Sequence, residues 1–548
     1  MHACCPLAVS AEADEYTIAV AKTTVMGTDG FIAPDGNARA VERFRGIPGF
    51  HCDKSHWNLN RRGRFDSSAT WRRAEIMLSR HSSFRPPAPL PRLDWPGPFD
   101  LIRTLWSNPI EAWTHRHFAQ PIVRTRLPFA DIFVVNDPSA VRRVLSDNAE
   151  NYGKDRFQKR MLGVLTNGLL TAENEQWKSQ RRLIAPLFTS KTVKSMAPAM
   201  VTEIDQLIAR WKSQGGATID IAQEMTDLAL NVLESTIFSA GLSVGRDDLR
   251  AAMRIYFDAL GRIDPFDLLD FPDFIPRISR LYARPAIRIF HQVVDDMIAV
   301  RRRDLQEGAS NGQHDILMLL IRARDSKTNR ELTKQEIRAN VVTFMAAGHE
   351  STANAITWAL YLLSCSHEWR ERVRAEAARE INAPPTLLFD RLIETRAVVE
   401  ESLRLYPPLA AISRMARNND ELAGMRVEAG AMIVISPYVL HRHKIWGARA
   451  DQFDPARFLP GARAYIDRYA FLPFGAGPRG CIGSIFALQE ATMAVAAITQ
   501  NFELELDPNH TVWPVHRITL RPRGGLPMSV RCRSSGESKF GNQTAALV

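Results

Sequence analysis

Residues 471–483 read FLPFGAGPRGCIG, and two chemical frames fit them. In the first, Gly475 to Gly480 spell the G-x-G-x-x-G of a dinucleotide loop. RYAFLPF would be the strand before it, SIFALQEATMAVAAITQNF the helix after it, and Glu503 the ribose contact. Such a loop works by presenting backbone N–H groups, and Pro473 and Pro478 each remove one. Too little chain follows to build the parallel sheet that this frame requires. In the second frame the spaced residues are Phe474, Gly477, Arg479, Cys481 and Gly483. Glycines permit a tight turn with positive φ and let the backbone lie against a flat ligand. A cysteine just before a helix is favoured as thiolate by the amide groups and the positive helix end. Phe474 would pack beside the sulfur, and Arg479 could pair with a carboxylate. A single cysteine is usually an inert buried thiol, but the frame around this one is too specific for that reading.

Other segments hold polar groups where a plain helix would not keep them. FMAAGHESTANAITWALYLLS is apolar at both ends, yet carries Gly348, His349, Glu350, Ser351 and Thr352 at its centre. Polar residues there compete with the backbone. Thr352, four residues after Gly348, is expected to bond that carbonyl and open the helix locally. QWKSQRR places Trp177 and Arg181 one turn apart and turns Arg182 elsewhere, where it is expected to be exposed. VVEESLRLYPPL supplies Glu401 and Arg404 as i,i+3 neighbours, followed by PPLAAISRMA with Arg414 and FDPARF with Arg457.

In this order and spacing the elements resemble the cytochrome P450 family, and the resemblance extends over most of residues 85–531. It implies that Cys481, as thiolate, is the axial ligand of a haem b iron. The distal helix matches the family's Ala-Gly-x-Asp/Glu-Thr-Thr element with Ser351 in place of the first threonine. Ala347 and Gly348 would leave room for the macrocycle and for O2, while Glu350 and Thr352 organise protons. Trp177, Arg181, Arg414 and Arg479 would hold the propionates, with Phe474 and Gly483 completing the cofactor-binding set. Glu401, Arg404 and Arg457 correspond to the family's buried triad, which is structural. Losing one partner of it would strand a buried charge at about 3–5 kcal/mol.

The implied reaction is monooxygenation, inserting one oxygen atom of O2 into a lipophilic small molecule. Phe344, Met345, Leu409, Ala410 and Ile412 would line an apolar pocket suited to a fatty acid, terpenoid or polyketide. Electrons would come from a separate ferredoxin or flavodoxin with its NAD(P)H-dependent reductase. The intact Glu350–Thr352 pair favours O2 over the alternatives on the same fold, a peroxide-driven peroxygenase and a non-catalytic haem sensor.

The rest of the chain must position these groups. Helical patterns dominate from about residue 175 to 405, among them MVTEIDQLIARW and IDIAQEMTDLALNVLESTIF, and a capping box of Thr333 and Glu336 opens the distal helix. PIVRTRL and ADIFVVND read as a β-hairpin, and MRVEAGAMIVISP and NFELEL as late strands. The expected class is mainly α with a minor antiparallel β region, in one large P450-like domain over 85–531. Residues 1–84 read as a flexible N-terminal extension, most of which a start at Met77 would leave out, the proline-rich SSFRPPAPLPRLDWPGP as the extended lead-in to the folded domain, and 532–548 as a flexible C-terminal tail. With 45% hydrophobic residues and 24% charged ones the 548-residue chain is not disordered. Six irregularly spaced cysteines build neither a zinc site nor a disulfide scaffold, which points to a reducing compartment. There is no apolar run of membrane-spanning length and no signal peptide, so a cytoplasmic monomer is expected. The net charge of +10 suits an acidic protein partner, and without a basic block it does not mark a nucleic-acid binder.

Overall fold

A computed structural model describes residues 84–127, 130–155, 168–238, 278–307, 315–325 and 327–533. The expected extension up to Ser83, including Met77, and the tail from 534 onward lie outside these residues. Both boundaries move slightly. Phe84 is already anchored, its carbonyl accepting from Phe453 N at 3.0 Å and its ring edge-on to Tyr361. Cys532 pairs with Phe502 at the end of a strand rather than opening the tail.

The helices that frame the molecule are α1 (Pro98–Ser107), α2 (Asn174–Ile184), α3 (Ala197–Gln214), α4 (Ile221–Phe238), α5 (Ile278–Gln306), α6 (Lys334–Ser364), α7 (His367–Arg379), α8 (Ile393–Leu405) and α9 (Ser484–Asn501). Thr333 and Glu336 form the expected reciprocal cap of α6, Thr333 Oγ1 accepting from Glu336 N at 3.2 Å and Glu336 Oε2 from Thr333 N at 3.0 Å. Beyond its centre, α6 is buried on every side from Thr352 to Leu363. A helix apolar all round belongs in a core, and α6 packs against α4, α8 and α9. Trp358 of α6 stacks on Tyr406 at 3.8 Å between ring centroids, and Tyr406 Oη donates to the Pro87 carbonyl. That bond fixes the proline-rich lead-in to the centre of the protein.

The β structure sits to one side. Strands β1 (Ile122–Leu127), β2 (Ala130–Val135), β3 (Tyr152–Gly153), β4 (Ile412–Ala416) and β5 (Met432–Ile435) form a sheet in the order β1-β2-β5-β4-β3. The first two are the expected hairpin, with Ile122 opposite Val135. Phe133, Val134 and Val135 are all buried, so this end of β2 is covered on both faces. All pairings are antiparallel except that of β2 with β5. A second sheet joins Thr218–Asp220, Pro527–Cys532 and Phe502–Leu506, and Pro514–His516 forms a hairpin with Leu520–Pro522.

The α8 ion pair is wholly buried. Arg404 is bidentate to Glu401 (2.6 and 2.7 Å) and donates to the carbonyls of His441 (2.7 Å), Ala450 (2.6 Å) and Gln452 (2.9 Å). All five of its donors are thus used. Arg457 completes the expected triad at a longer range, 3.9 Å from Glu401. It is held instead by the carbonyls of Trp446 and Arg449.

Glu490 of α9 is the opposite case. It is fully buried, and neither carboxyl oxygen has a hydrogen-bond partner. Burial alone raises its pKa well above the usual carboxylate range, so the folded protein keeps a proton that the unfolded chain releases. Stability at this site is therefore greatest below the ordinary carboxylate pKa and declines as pH rises above it. Glu490→Met is expected to stabilise by about 1–2 kcal/mol, with a larger gain in thermal midpoint at pH 8 than at pH 5. Calorimetry at the two pH values checks this.

Candidate active site

The segment before Gly475 is a run of turns, not a strand, which removes the structural basis of the dinucleotide frame. Gly475 and Gly477 adopt positive φ, +66° and +70°. Gly477 is also a close approach, since a Cβ there would lie 1.7 Å from the Leu145 carbonyl oxygen. The turn brings Cys481 N within 2.8 Å of the Phe474 carbonyl, so Phe474 is tied to the cysteine through the backbone. The Cys481 side chain is solvent-accessible although it lies deep among protein atoms. A side chain has both properties when it faces an interior cleft. Burial raises the thiol pKa, while the Gly483 N–H, which donates to the sulfur, and the Arg181 charge pull it down. Gly483 itself has φ −88°, and a Cβ on it would meet no protein atom within 4 Å. No neighbouring backbone requires glycine there, in contrast to Gly477.

Three cations gather near this loop. Arg181 is pulled below the usual guanidinium range by burial, partly offset by Cys481. Arg414 is pulled down to about 10, by burial first and by the neighbouring Arg479 charge second. Its guanidinium donates to the carbonyl of Ser413 at 2.8 Å. Arg479 donates to the Ala172 carbonyl at 3.1 Å and lies over the Trp177 ring at 4.3 Å. Trp177, Arg414 and Arg479 line a cleft of about 320 Å³ that Lys154, Lys178 and Arg417 share. Arg182 does not join them and is not simply exposed. It pairs with the buried Asp325 at 2.9 Å, a partner far away in sequence.

On α6 the expected local opening between Thr352 and Gly348 does not occur. The helix is continuous, and the hydroxyl that bonds back one turn is that of Ser351, donating to the Ala347 carbonyl at 2.7 Å. Ala347 is exposed and Ser351 partly so, whereas Thr352 is 2% exposed. One residue is about 100° around a helix. That angle puts Ser351 on the open face beside Ala347 and turns Thr352 into the core. Glu350 Oε1 accepts from Thr519 Oγ1 at 2.7 Å, and Thr519 Oγ1 accepts from Asn354 Nδ2 at 2.9 Å. Arg521 stands 3.9 Å from the same carboxylate oxygen. Among the expected pocket residues, Met345 is fully buried in the core, and its carbonyl bonds His349. Phe344 packs edge-on against Phe188, Ala410 and Ile412 are buried, and Leu409 is exposed.

The Cytochrome P450 family profile matches residues 87–526. The chain belongs to the cytochrome P450 family. A cyclooctat-9-en-7-ol 5-monooxygenase of Streptomyces melanosporofaciens is 33% identical over 76% of this chain and 90% of that protein. A pentalenene oxygenase of Streptomyces avermitilis is 30% identical over 81% of this chain and 98% of its own length. The crystal structure of the cytochrome P450DA heme domain superposes with a TM-score of 0.70 at 23% identity, over 82% of this chain and 99% of that one, a likeness of fold. The chain is thus an oxidoreductase of the monooxygenase type.

The residues present fit the haem of a P450. Cys481 offers an accessible sulfur with an N–H donor and a cation nearby to favour the thiolate. Arg181, Arg414 and Arg479 are desolvated cations to which no side-chain carboxylate among the described residues is bonded, which suits a ligand bearing carboxylates. Ala347 and Gly483 present small surfaces to open space.

Two positioning residues escaped the sequence reading. His441 is fully buried, and its Nε2 accepts from Leu472 N at 2.8 Å while Nδ1 lies 3.2 Å from the Arg404 carbonyl. Burial, then the Arg404 charge, lowers its pKa to about 3. The ring is therefore neutral, with its proton on Nδ1. Thr519 is the second, linking a C-terminal hairpin to Glu350. The two glycines of the loop separate in a folding test. Gly477→Ala should cost at least ~3 kcal/mol through the carbonyl clash and the positive φ, whereas Gly483→Ala should change the chemical denaturation midpoint of the cofactor-free protein little.

Proposed function

We propose that this P450 binds haem b through Cys481 and hydroxylates a terpene-type hydrocarbon or alcohol. The observation that carries the reading is the accessible, deep Cys481 sulfur with the Gly483 N–H and Arg181 beside it. The terpene class is supported by the names of the two Streptomyces relatives and by apolar side chains such as Phe344 and Ile412. When bound, the haem supplies the O2 activation that ends in oxygen transfer to a C–H bond. Trp177, Arg181, Arg414 and Arg479 hold its carboxylates, and Phe474 limits water near the sulfur. Ala347 leaves space on the α6 face, whereas the expected role of Gly348 there is not supported, since a Cβ on it would lie 3.1 Å from the Leu233 side chain of α4.

Glu350 and Ser351 are the proton-handling pair, in place of Glu350 and Thr352. Glu350 is partly exposed and oriented by Thr519, so it can exchange protons with solvent without swinging freely. The Ser351 hydroxyl, parked on the Ala347 carbonyl, lies on the open face. Electrons arrive from an acidic ferredoxin or flavodoxin with its NAD(P)H-dependent reductase. Lys178 of this cleft is paired with Glu150 and Glu175, but Lys154, Arg414, Arg417 and Arg479 keep it positive and support that docking, and the protein works as a cytoplasmic monomer.

Cys481→Ser is expected to abolish the thiolate-type Soret band of the reduced carbon monoxide complex. Retention of that band would overturn the ligand assignment. Ser351→Ala should lower product formation on the order of 10²-fold while oxygen consumption continues as peroxide, with an unchanged thermal midpoint. Thr352→Ala should instead lower the midpoint and leave the ratio of product to oxygen consumed near that of the parent.

A further inference from the structure

We propose that residues 90–106 form a docking surface for an anionic lipid bilayer, on which the enzyme rests without spanning it. The helix α1 turns Thr104 inward and Phe99, Ile102 and Trp106 outward, at positions i, i+3 and i+7 of one face. Phe99 is 90% exposed. The extended segment before it adds Leu90 and Leu93, 88% and 83% exposed, together with Trp95. The two pieces make one surface. Arg92, between the two leucines, donates to Asp100 of α1 and to Thr104 Oγ1 at 2.9 Å, and the Trp95 ring lies 5.7 Å from His117.

Clustered apolar side chains at this exposure mark an interaction site on a soluble domain. Tryptophans on the apolar face of a short amphipathic helix suit the headgroup boundary of a bilayer. Charge selects the kind of bilayer. Arg103 lies on the exposed side of α1. Arg517 donates to the Trp106 and Ser107 carbonyls at 2.9 and 2.7 Å, and Arg521 and Arg523 follow it on the same hairpin, both exposed. Of the acids nearby, Asp100 is paired with Arg92 and Glu111 is bonded by Asn108 and Trp513, which leaves the exposed Asp94 against Arg103, Arg517, Arg521 and Arg523. An apolar face with an arginine rim matches anionic headgroups above acyl chains.

The surface and the active site share an element. The hairpin that grips α1 through Arg517 also holds Glu350 through Thr519. A lipophilic substrate dissolved in the bilayer would be delivered beside that hairpin. This last step rests on the substrate class proposed above, whereas lipid docking itself does not.

Co-sedimentation of the full-length holoprotein with phosphatidylcholine vesicles, with and without phosphatidylglycerol, tests the proposal. The protein is expected to pellet with the phosphatidylglycerol vesicles and to show a blue-shifted tryptophan emission. The double variant Phe99→Asp/Ile102→Asp should lose at least about tenfold in vesicle affinity, with an unchanged reduced carbon monoxide spectrum showing that the fold and haem site survive. Three results would overturn the proposal. They are a wild-type protein that stays in the supernatant with both vesicles, a double variant that binds as well as the parent, and a wild-type dimer that the double variant converts to monomer, which would assign the face to a second copy of the chain.

Discussion

The Arg404 guanidinium is fully buried, and much of the architecture around Cys481 follows from the need to satisfy it. Its five donors reach one carboxylate and three carbonyls drawn from segments 37 to 48 residues further along the chain. Glu401, its partner, also accepts from Asp454 N at 2.8 Å. His441 passes the constraint on. Its carbonyl takes an Arg404 donor, and its neutral ring receives Leu472 N from the first turn of the cysteine loop. A buried pair of this kind adds little net stability, because desolvation offsets the attraction. What it provides is registry. Any displacement of α8 relative to the cysteine loop would strand at least one buried charge or N–H.

The opposite side of the site is held by a lighter arrangement. Glu350 is fixed by one hydroxyl and one helical turn of Asn354, with Arg521 at the edge of ion-pair range. The difference matches the tasks. A group that must stay put has every donor bonded, while one that must exchange a proton keeps part of its carboxylate open.

Much of this was legible in the sequence, and the gaps have physical causes. The capping box of α6, the hairpin around residues 122–135 and the Glu401–Arg404 pair announce themselves through local spacing. The cysteine frame does so as well, because glycine, arginine and cysteine in that order leave few uses for the loop. Ser351 and Thr352 are adjacent and both carry a hydroxyl on Cβ, so spacing alone does not choose between them. Which of them faces open space depends on the rotation of α6, set by its packing against α4 and α9. His441, Thr519 and the Arg182–Asp325 pair were invisible for another reason. Each acts across a large sequence separation with an unremarkable residue type, so only the folded chain reveals the partner.

The electrostatics of Cys481 narrow its chemistry further. Burial is the largest influence on the thiol and opposes ionisation, with one N–H and one guanidinium acting the other way. A nucleophilic cysteine needs its thiolate populated before substrate arrives, and that requires the favourable terms to prevail unaided. Here they do not. A metal ion reverses the balance, since coordination deprotonates a thiol outright. The same N–H and guanidinium would then moderate the charge on a sulfur committed to the metal. Together with Arg414 and Arg479, partly buried cations to which no side-chain carboxylate among the described residues is bonded, this makes the loop a poor place for a free thiolate and a better one for a thiolate that would hold the iron of a carboxylate-bearing macrocycle.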